Sequence, residues 1–440
     1  MPTNRSIVFA VWGSLGDLHP FIAVALKLKQ LGYDPLIASV GEYRAKVTAE
    51  GIRFHTVRPA FAEIERALAA QLPELTRQVI ARPDLLYRRL VFPFLRQSYE
   101  DMMDATRDAS VVVTGSVCIG ARLAAEQRGI PWIGAVLQPM MFVSAYDPPA
   151  LIPGAWLGAL LRRVGPRAAT VLLRALKRLI GRVSAPVHEL RREIGLARSR
   201  VDPLLDGQFS PAGALAMYSP LLGAVQPDYP APTALTGFAF YDSERGGDTA
   251  LEPALQSFLA AGPAPIVFTL GSSMVRNPGD FYRDSLQAAR QLKRRAVLLV
   301  GEGWGRPIDT GGRDDVLVCG YAAYSRLFQH AAAIVHQGGV GTLAQALRAG
   351  RPQLIVPFCC DQADNAARAL RMGIARTLRR SHYSAASARD QLAALLADHA
   401  GAARALAIRD RIALEDGASE AARVLSDHIQ ARLQSATFGS

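Results

Sequence analysis

The stretch from His336 to Asp361, HQGGVGTLAQALRAGRPQLIVPFCCD, constrains the fold more than any other part of the chain. An apolar run, Ala331–Val335, enters a turn in which Gly338, Gly339 and Gly341 carry no β-carbon. Leu343, Ala346 and Leu347 follow at i, i+3 and i+4, the spacing of a short amphipathic helix. Thr342 lies in its first turn, Gly350 just past its end, and Pro352 blocks its continuation. Gln353–Phe358 reads as a buried strand, and Asp361-Gln362 open another helical pattern. In such a strand–turn–helix–strand unit with parallel strands, His336 and Asp361 share one carboxyl edge. A helix start beside glycines offers free N–H groups to a phosphate, although the same turn also serves tight packing.

The same design recurs along the chain. Ser6–Trp12 is a continuous apolar strand of the parallel-sheet kind. It runs into Gly13-Ser14-Leu15-Gly16-Asp17-Leu18-His19-Pro20, then a helix with Phe21, Val24, Ala25 and Leu28 on one face. Pro35–Val40 makes the second strand. The turn lacks G-x-G-x-x-G, and Ser39-Val40-Gly41 brings no acid to a ribose, which argues against a dinucleotide oxidoreductase. Gly51–Val57, Ser110–Thr114 and Trp132–Leu137 are further strands of a domain spanning residues 1–225. The last of them delivers Gln138, Met140, Met141, Phe142 and Tyr146, which either line an apolar pocket or fill the core. Pro227, Pro230, Pro232 and a Gly-Gly pair mark 226–247 as a linker. A second domain, 248–417, restarts at Pro265–Leu270 followed by Gly271-Ser272-Ser273, and continues through Ala296–Val300 and Val316–Cys319, which leads to Tyr321. Residues 418–440 read as a closing helix.

Composition removes several classes of function. No apolar run approaches the ~18–20 residues that span a bilayer, and nothing after MPTNR has the core of a signal peptide. The four cysteines show no metal-type pairing and read as reduced structural residues, hence a cytoplasmic protein. A net charge of +12 favours anionic partners. Nucleic acid is the weakest of these, because the basic residues lack interleaved aromatics or a recognition motif. Leu161–Arg182 holds seven Arg/Lys and no acid. On a helical wheel Val171, Leu172, Leu173, Ala175, Leu176, Leu179 and Ile180 share one side. Such a helix either packs that side on its own domain, the favoured reading, or rests peripherally on an anionic membrane.

His-x-Gly-Gly-x-Gly-Thr, Ala-Gly-x-Pro-Gln, Val-Pro-Phe and Asp-Gln together resemble the donor-binding signature of the family-one glycosyltransferases. The resemblance is to their bacterial branch, with sterol glucosyltransferases, antibiotic glycosyltransferases and glycolipid rhamnosyltransferases. It implies an α/β GT-B fold, two Rossmann-like domains whose parallel sheets face across a cleft, with the closing helix returning to the first. It implies that Ser272, Ser273, Tyr321, His336, Gly338, Gly339, Gly341, Thr342, Asp361 and Gln362 bind a UDP- or dTDP-sugar. His336 would touch the diphosphate and Asp361 with Gln362 the sugar hydroxyls; Asn365 is a further candidate. Gln138, Met140, Met141, Phe142 and Tyr146 would meet an apolar acceptor. Gly16-Asp17-Leu18-His19-Pro20 matches the Asp version of the family's catalytic turn, so Asp17 is the expected base and His19 the alternative. No Asp-x-Asp pair stands at a strand end, so no metal and no cofactor beyond the nucleotide sugar is expected. Transfer would invert the anomeric centre, with dTDP-L-rhamnose and UDP-glucose the leading donors. Gln337 departs from a frequent second His, and Cys359-Cys360 precede the acid–amide pair. A nucleotide-sugar epimerase and a non-catalytic nucleotide-sugar or lipid-binding protein are the competing readings.

Overall fold

The apolar runs assemble into two sheets in which every strand is parallel to its neighbours. The structure, a computed structural model, describes residues 5–68, 78, 82, 84–150, 155–242, 250–275, 277–301 and 308–438. The first sheet contains β1 (Ser6–Ala10), β2 (Asp34–Ser39), β3 (Arg53–Thr56), β4 (Val111–Thr114), β5 (Trp132–Val136), β6 (Ala214–Ala216) and β7 (Thr233–Leu235). Its order is β3-β2-β1-β4-β5-β6-β7. The second contains β8 (Ile266–Thr269), β9 (Ala296–Leu299), β10 (Val316–Cys319), β11 (Ala333–His336), β12 (Gln353–Ile355) and β13 (Ala375–Thr377), in the order β10-β9-β8-β11-β12-β13. Both orders reverse direction once, between β1 and β4 and between β8 and β11. In a doubly wound sheet that reversal opens a crevice beyond the carboxyl ends of the strands.

Burial on both faces explains why these strands read as unbroken apolar runs rather than alternating ones. Ile266, Phe268, Leu298, Val335 and Leu354 pack into one core of the second sheet. Val267, Val297, Leu299 and Ile334, the intervening residues, pack into another on the opposite face. Each such fully buried side chain contributes roughly 1.5–3 kcal/mol relative to exposure.

Six helices line the reversal points, cover the first sheet or carry the basic stretch: α1 (Leu15–Gln30), α2 (Ile119–Arg128), α3 (Ala155–Ile180), α4 (Val340–Ala349), α5 (Gln362–Arg371) and α6 (Gly417–Phe438). The chain divides into one unit of Met1–Tyr241 with Asp416–Ser440 and a second of Asp242–Glu415. The stretch expected to be a linker is therefore largely part of the first unit, because Thr233–Leu235 pairs with β6 as the edge strand β7. Helix α6 packs on α1, with a hydrogen bond of 2.8 Å between Tyr33 and Ser426 and an ion pair of 3.6 Å between Lys27 and Asp416. Among the described residues no helix is long and apolar enough to cross a membrane.

Candidate active site

The turn after β1 lies at the first sheet's reversal point. Ser14 precedes α1, and Asp17 sits in the helix's first turn. The backbone N–H and the hydroxyl of Ser14 both donate to Asp17 Oδ2, at 2.7 and 3.0 Å. The bend that allows this passes through Gly13, whose φ is +143° and whose missing β-carbon would lie 2.4 Å from Asp17 Oδ2. The Tyr43 hydroxyl, donating to the Gly13 carbonyl at 2.9 Å, holds the bend from the other side. Asp17 is thus a helix-capping residue, as a structural reading alone would have it. Both of the Ser14 bonds go to one oxygen, Oδ2. Burial raises its pKa above the ordinary carboxylate value, and the Ser14 hydrogen bonds oppose the shift.

His19, the alternative base, is placed differently. Its ring packs against Tyr241 with centroids 5.0 Å apart, and Nε2 is enclosed with no hydrogen-bond partner. Burial and then the charge of Lys46 lower its pKa to about 3. The usual order of basicity, His above Asp, is narrowed from both sides in this turn.

The turn after β11 lies at the second sheet's reversal point. His336 is fully buried at the end of β11. Its Nδ1 accepts the N–H of Gly338 at 3.1 Å, so in the neutral ring Nε2 is the protonated nitrogen and donates to Gln353 Oε1 at 2.9 Å. Burial depresses its pKa to about 4, which keeps the ring uncharged near neutrality. Both ring nitrogens bond within the protein, so His336 shapes the turn here. Gly338 has φ +93°, and a β-carbon on it would meet Ile355 Cγ2 at 2.8 Å and the Gln362 carbonyl at 3.0 Å. Its own carbonyl accepts from Asn365 Nδ2 at 2.9 Å. The Gly338 peptide is therefore gripped by His336 on one side and Asn365 on the other.

Beyond this buried grip, Gly339, Val340 and Gly341 are half-open at the head of α4. The first helical bond there runs from Leu343 N–H to the Gly339 carbonyl, so the preceding N–H groups have no intrahelical acceptor. Thr342 and Gln337 are buried beside them, and Gln337 Oε1 is enclosed without a partner. Asp361 occupies the position before α5 but makes no side-chain cap. It accepts instead from Asn365 Nδ2 at 2.6 Å, which ties this carboxylate to the glycine turn. Gln362 is buried, and its Oε1 accepts from the N–H groups of Phe358 and Cys359 at 2.7 and 3.0 Å. Only its NH2 end is left for a sugar hydroxyl. Ser272 is exposed in the short helix after β8; of the Ser273 side chain nothing is described. Tyr321 follows the edge strand β10, three strand spacings or about 14 Å from β11.

The residues expected to line an acceptor pocket differ in burial. Phe142 is buried between Phe209 and Tyr229, with ring centroids 5.1 and 3.9 Å away, and is core filling. Tyr146 is 49% exposed, while Gln138, Met140 and Met141 are half-buried around the turn that caps β5. An apolar hollow occurs instead beside the β1 turn, lined by Trp12, Val57, Leu95, Met102 and Cys118 among others. Cys118 links it to Asp17, since its thiol, pushed up to about 12 chiefly by burial, also feels the Asp17 charge. The hollow draws on five separate segments, and no local pattern announced it. Cys360, expected to be structural, is exposed in the turn before α5. Among the described residues no group of three or more His, Cys, Asp or Glu is arranged to hold a metal ion.

Residues 7–135 match the glycosyltransferase family 28 N-terminal domain, and residues 312–427 match the C-terminal domain of erythromycin biosynthesis protein CIII-like proteins. The chain is 28% identical to the vancomycin aglycone glucosyltransferase of Amycolatopsis orientalis, covering 96% of this chain and 97% of that protein. It is 28% identical to the O-mycaminosyltylonolide 6-deoxyallosyltransferase of Streptomyces fradiae, over 98% and 100%. By these matches the chain is a glycosyltransferase with the GT-B fold. The fold of this glycosyltransferase also matches the solved structure of VinC in complex with dTDP, with a TM-score of 0.66 at 20% identity over 97% of this chain and 100% of that one. The turn holding Asp17 falls inside the first matched segment and the turn holding Gly338 inside the second.

Proposed function

We propose that this glycosyltransferase moves a hexose from a UDP- or dTDP-sugar to a hydroxyl of an apolar acceptor, with inversion and without a metal ion. Lipids, sterols and natural-product aglycones are the acceptor classes, and dTDP-L-rhamnose and UDP-glucose the leading donors. The diphosphate is received by the open N–H groups from Gly339 to Gly341 at the start of α4. Negative charge grows on the departing nucleoside diphosphate, so these donors and the helix dipole stabilise the transition state more than the ground state. Asp361 orients the sugar. Asp17 Oδ1 takes the proton from the acceptor hydroxyl as the oxygen bonds to the anomeric carbon and the carbon–phosphate oxygen bond breaks. One displacement at that carbon inverts it.

The observation that supports this reading best is the hydrogen-bonded chain Gln353–His336–Gly338–Asn365–Asp361. It ties the glycine turn at the head of α4 to the Asp361 carboxylate, an arrangement that helix packing alone does not require. The test is incubation of the full chain with UDP- and dTDP-sugars and a panel of apolar alcohols in EDTA, with products identified by mass spectrometry and anomeric configuration by NMR. A new glycoside of inverted configuration is expected. Transfer that requires an added divalent cation, or that retains configuration, would overturn the mechanism.

A further inference from the structure

Helix α3 carries one broad apolar arc, and only part of it faces its own domain. Ala169 and Leu173 are buried and Leu176 packs with them against Ala145 and Leu161. At about 100° per residue, Leu172, Leu179, Ala175 and Val171 continue that arc beyond Leu176, spread over about 100° and turned away from Leu173. Val171 is 65% exposed, Leu179 63% and Leu172 45%. Leu160 and Val164, before the break at Gly165-Pro166, are exposed as well. This one helix carries Leu160, Val164, Val171, Leu172, Leu179 and Ile180, six of the fourteen exposed large apolar residues of the described chain. The favoured reading of the sequence, a helix that spends its apolar side on its own domain, accounts for Leu173 and Leu176 but not for these.

Charge selects what covers the outward side. Between Asp147 and Glu189 there is no acidic residue, while Arg162, Arg163, Arg167, Arg174, Lys177, Arg178 and Arg182 are all basic. Lys177 is paired with Asp206 at 2.6 Å, and Arg162 donates to the Pro148 carbonyl. Arg167, Arg174 and Arg178 have no ion pair among the described residues and form a strip directly beside the apolar one. A folded protein partner would need to match both strips at fixed positions. A bilayer bearing anionic headgroups does so without any special shape, taking the aliphatic groups below the headgroups and the guanidinium groups among them.

We propose that the outward side of α3 seats the enzyme on an anionic membrane surface. The inference stands apart from the assignment of the transfer reaction. It is tested by sedimenting the full-length protein with vesicles of phosphatidylcholine alone and with about a third phosphatidylglycerol. Binding to the anionic vesicles only is expected, weakening as salt is raised. At roughly fivefold per basic residue near such a surface, the triple variant Arg167→Gln, Arg174→Gln, Arg178→Gln should bind roughly a hundredfold more weakly. The exposed pair Leu172→Ser, Leu179→Ser should lose at least about tenfold, with an unchanged circular dichroism spectrum and unchanged transfer to a water-soluble acceptor. Absence of binding at low salt overturns the proposal. So does binding that ignores the leucine pair, which is mere adsorption of a polycation. Concentration-dependent self-association abolished by the leucine pair, with no vesicle binding, overturns it in favour of a second copy as the occupant.

Discussion

At the residue scale, the question is which group in the β1 turn accepts the proton. Spacing alone leaves Asp17 and His19 as rivals, and a free histidine is the stronger base by more than two pKa units. Their surroundings work against that order: burial raises Asp17, whereas it lowers His19 to about 3 and encloses Nε2 without a partner. Asp17 must be ionised to act, so kcat/KM should fall as pH drops through a pKa lying above the ordinary value of 3.8. A profile that stays flat down to pH 4 points to a base as weak as His19 and removes Asp17 from the role. Asp17→Asn should reduce transfer by about 10²–10⁴, the usual worth of a positioned base, while leaving nucleotide binding unchanged. If His19→Ala is the inactive variant and Asp17→Asn the active one, the roles are exchanged. The sequence named both groups and preferred Asp17; the surroundings that move their pKa values were not legible, because neither the Tyr241 ring nor Lys46 is near His19 in the chain.

At the element scale, three pieces meet at Gly338: the end of β11, the head of α4 and the first turn of α5. Their existence was legible from continuous apolar runs, the glycines and Pro352, and Val316–Cys319 matched to the residue. The short strands β6, β7 and β13 were missed, since three residues give too little pattern, and prolines next to β7 argued for a linker. The motif also showed that Asp361 and His336 share an edge, but not that Asn365 joins them. That contact depends on the turn of α5 bringing Asn365 back over Gly338, a distance of 27 positions in sequence. Asn365→Ala should release both the Gly338 carbonyl and Asp361. Two hydrogen bonds lost near a binding site predict nucleotide-sugar affinity weakened about tenfold by calorimetry, with the acceptor KM unchanged. Unaltered donor affinity would mean that the turn keeps its shape without the clamp.

At the scale of the whole molecule, the second unit is one continuous segment, Asp242–Glu415, inserted in the sequence of a first unit made from both ends of the chain. The first unit is closed by α6, on which Ala421, Ala422 and Leu425 are fully buried. The second unit has its own sheet and a core on each face, drawn only from residues within it. The energetics are correspondingly separable. Leu425→Ala removes a buried side chain and should cost about 2–5 kcal/mol, all of it in the first unit. Residues 242–415 expressed alone should fold and bind a nucleoside diphosphate, because the glycine turn and its grip lie entirely inside them. Residues 1–241 alone should not fold stably, since α1 would expose the surface that α6 covers. Calorimetry of the full chain should then show Leu425→Ala lowering one transition only, with nucleotide raising the other. A single transition that both perturbations move together would show that neither unit stands without its partner.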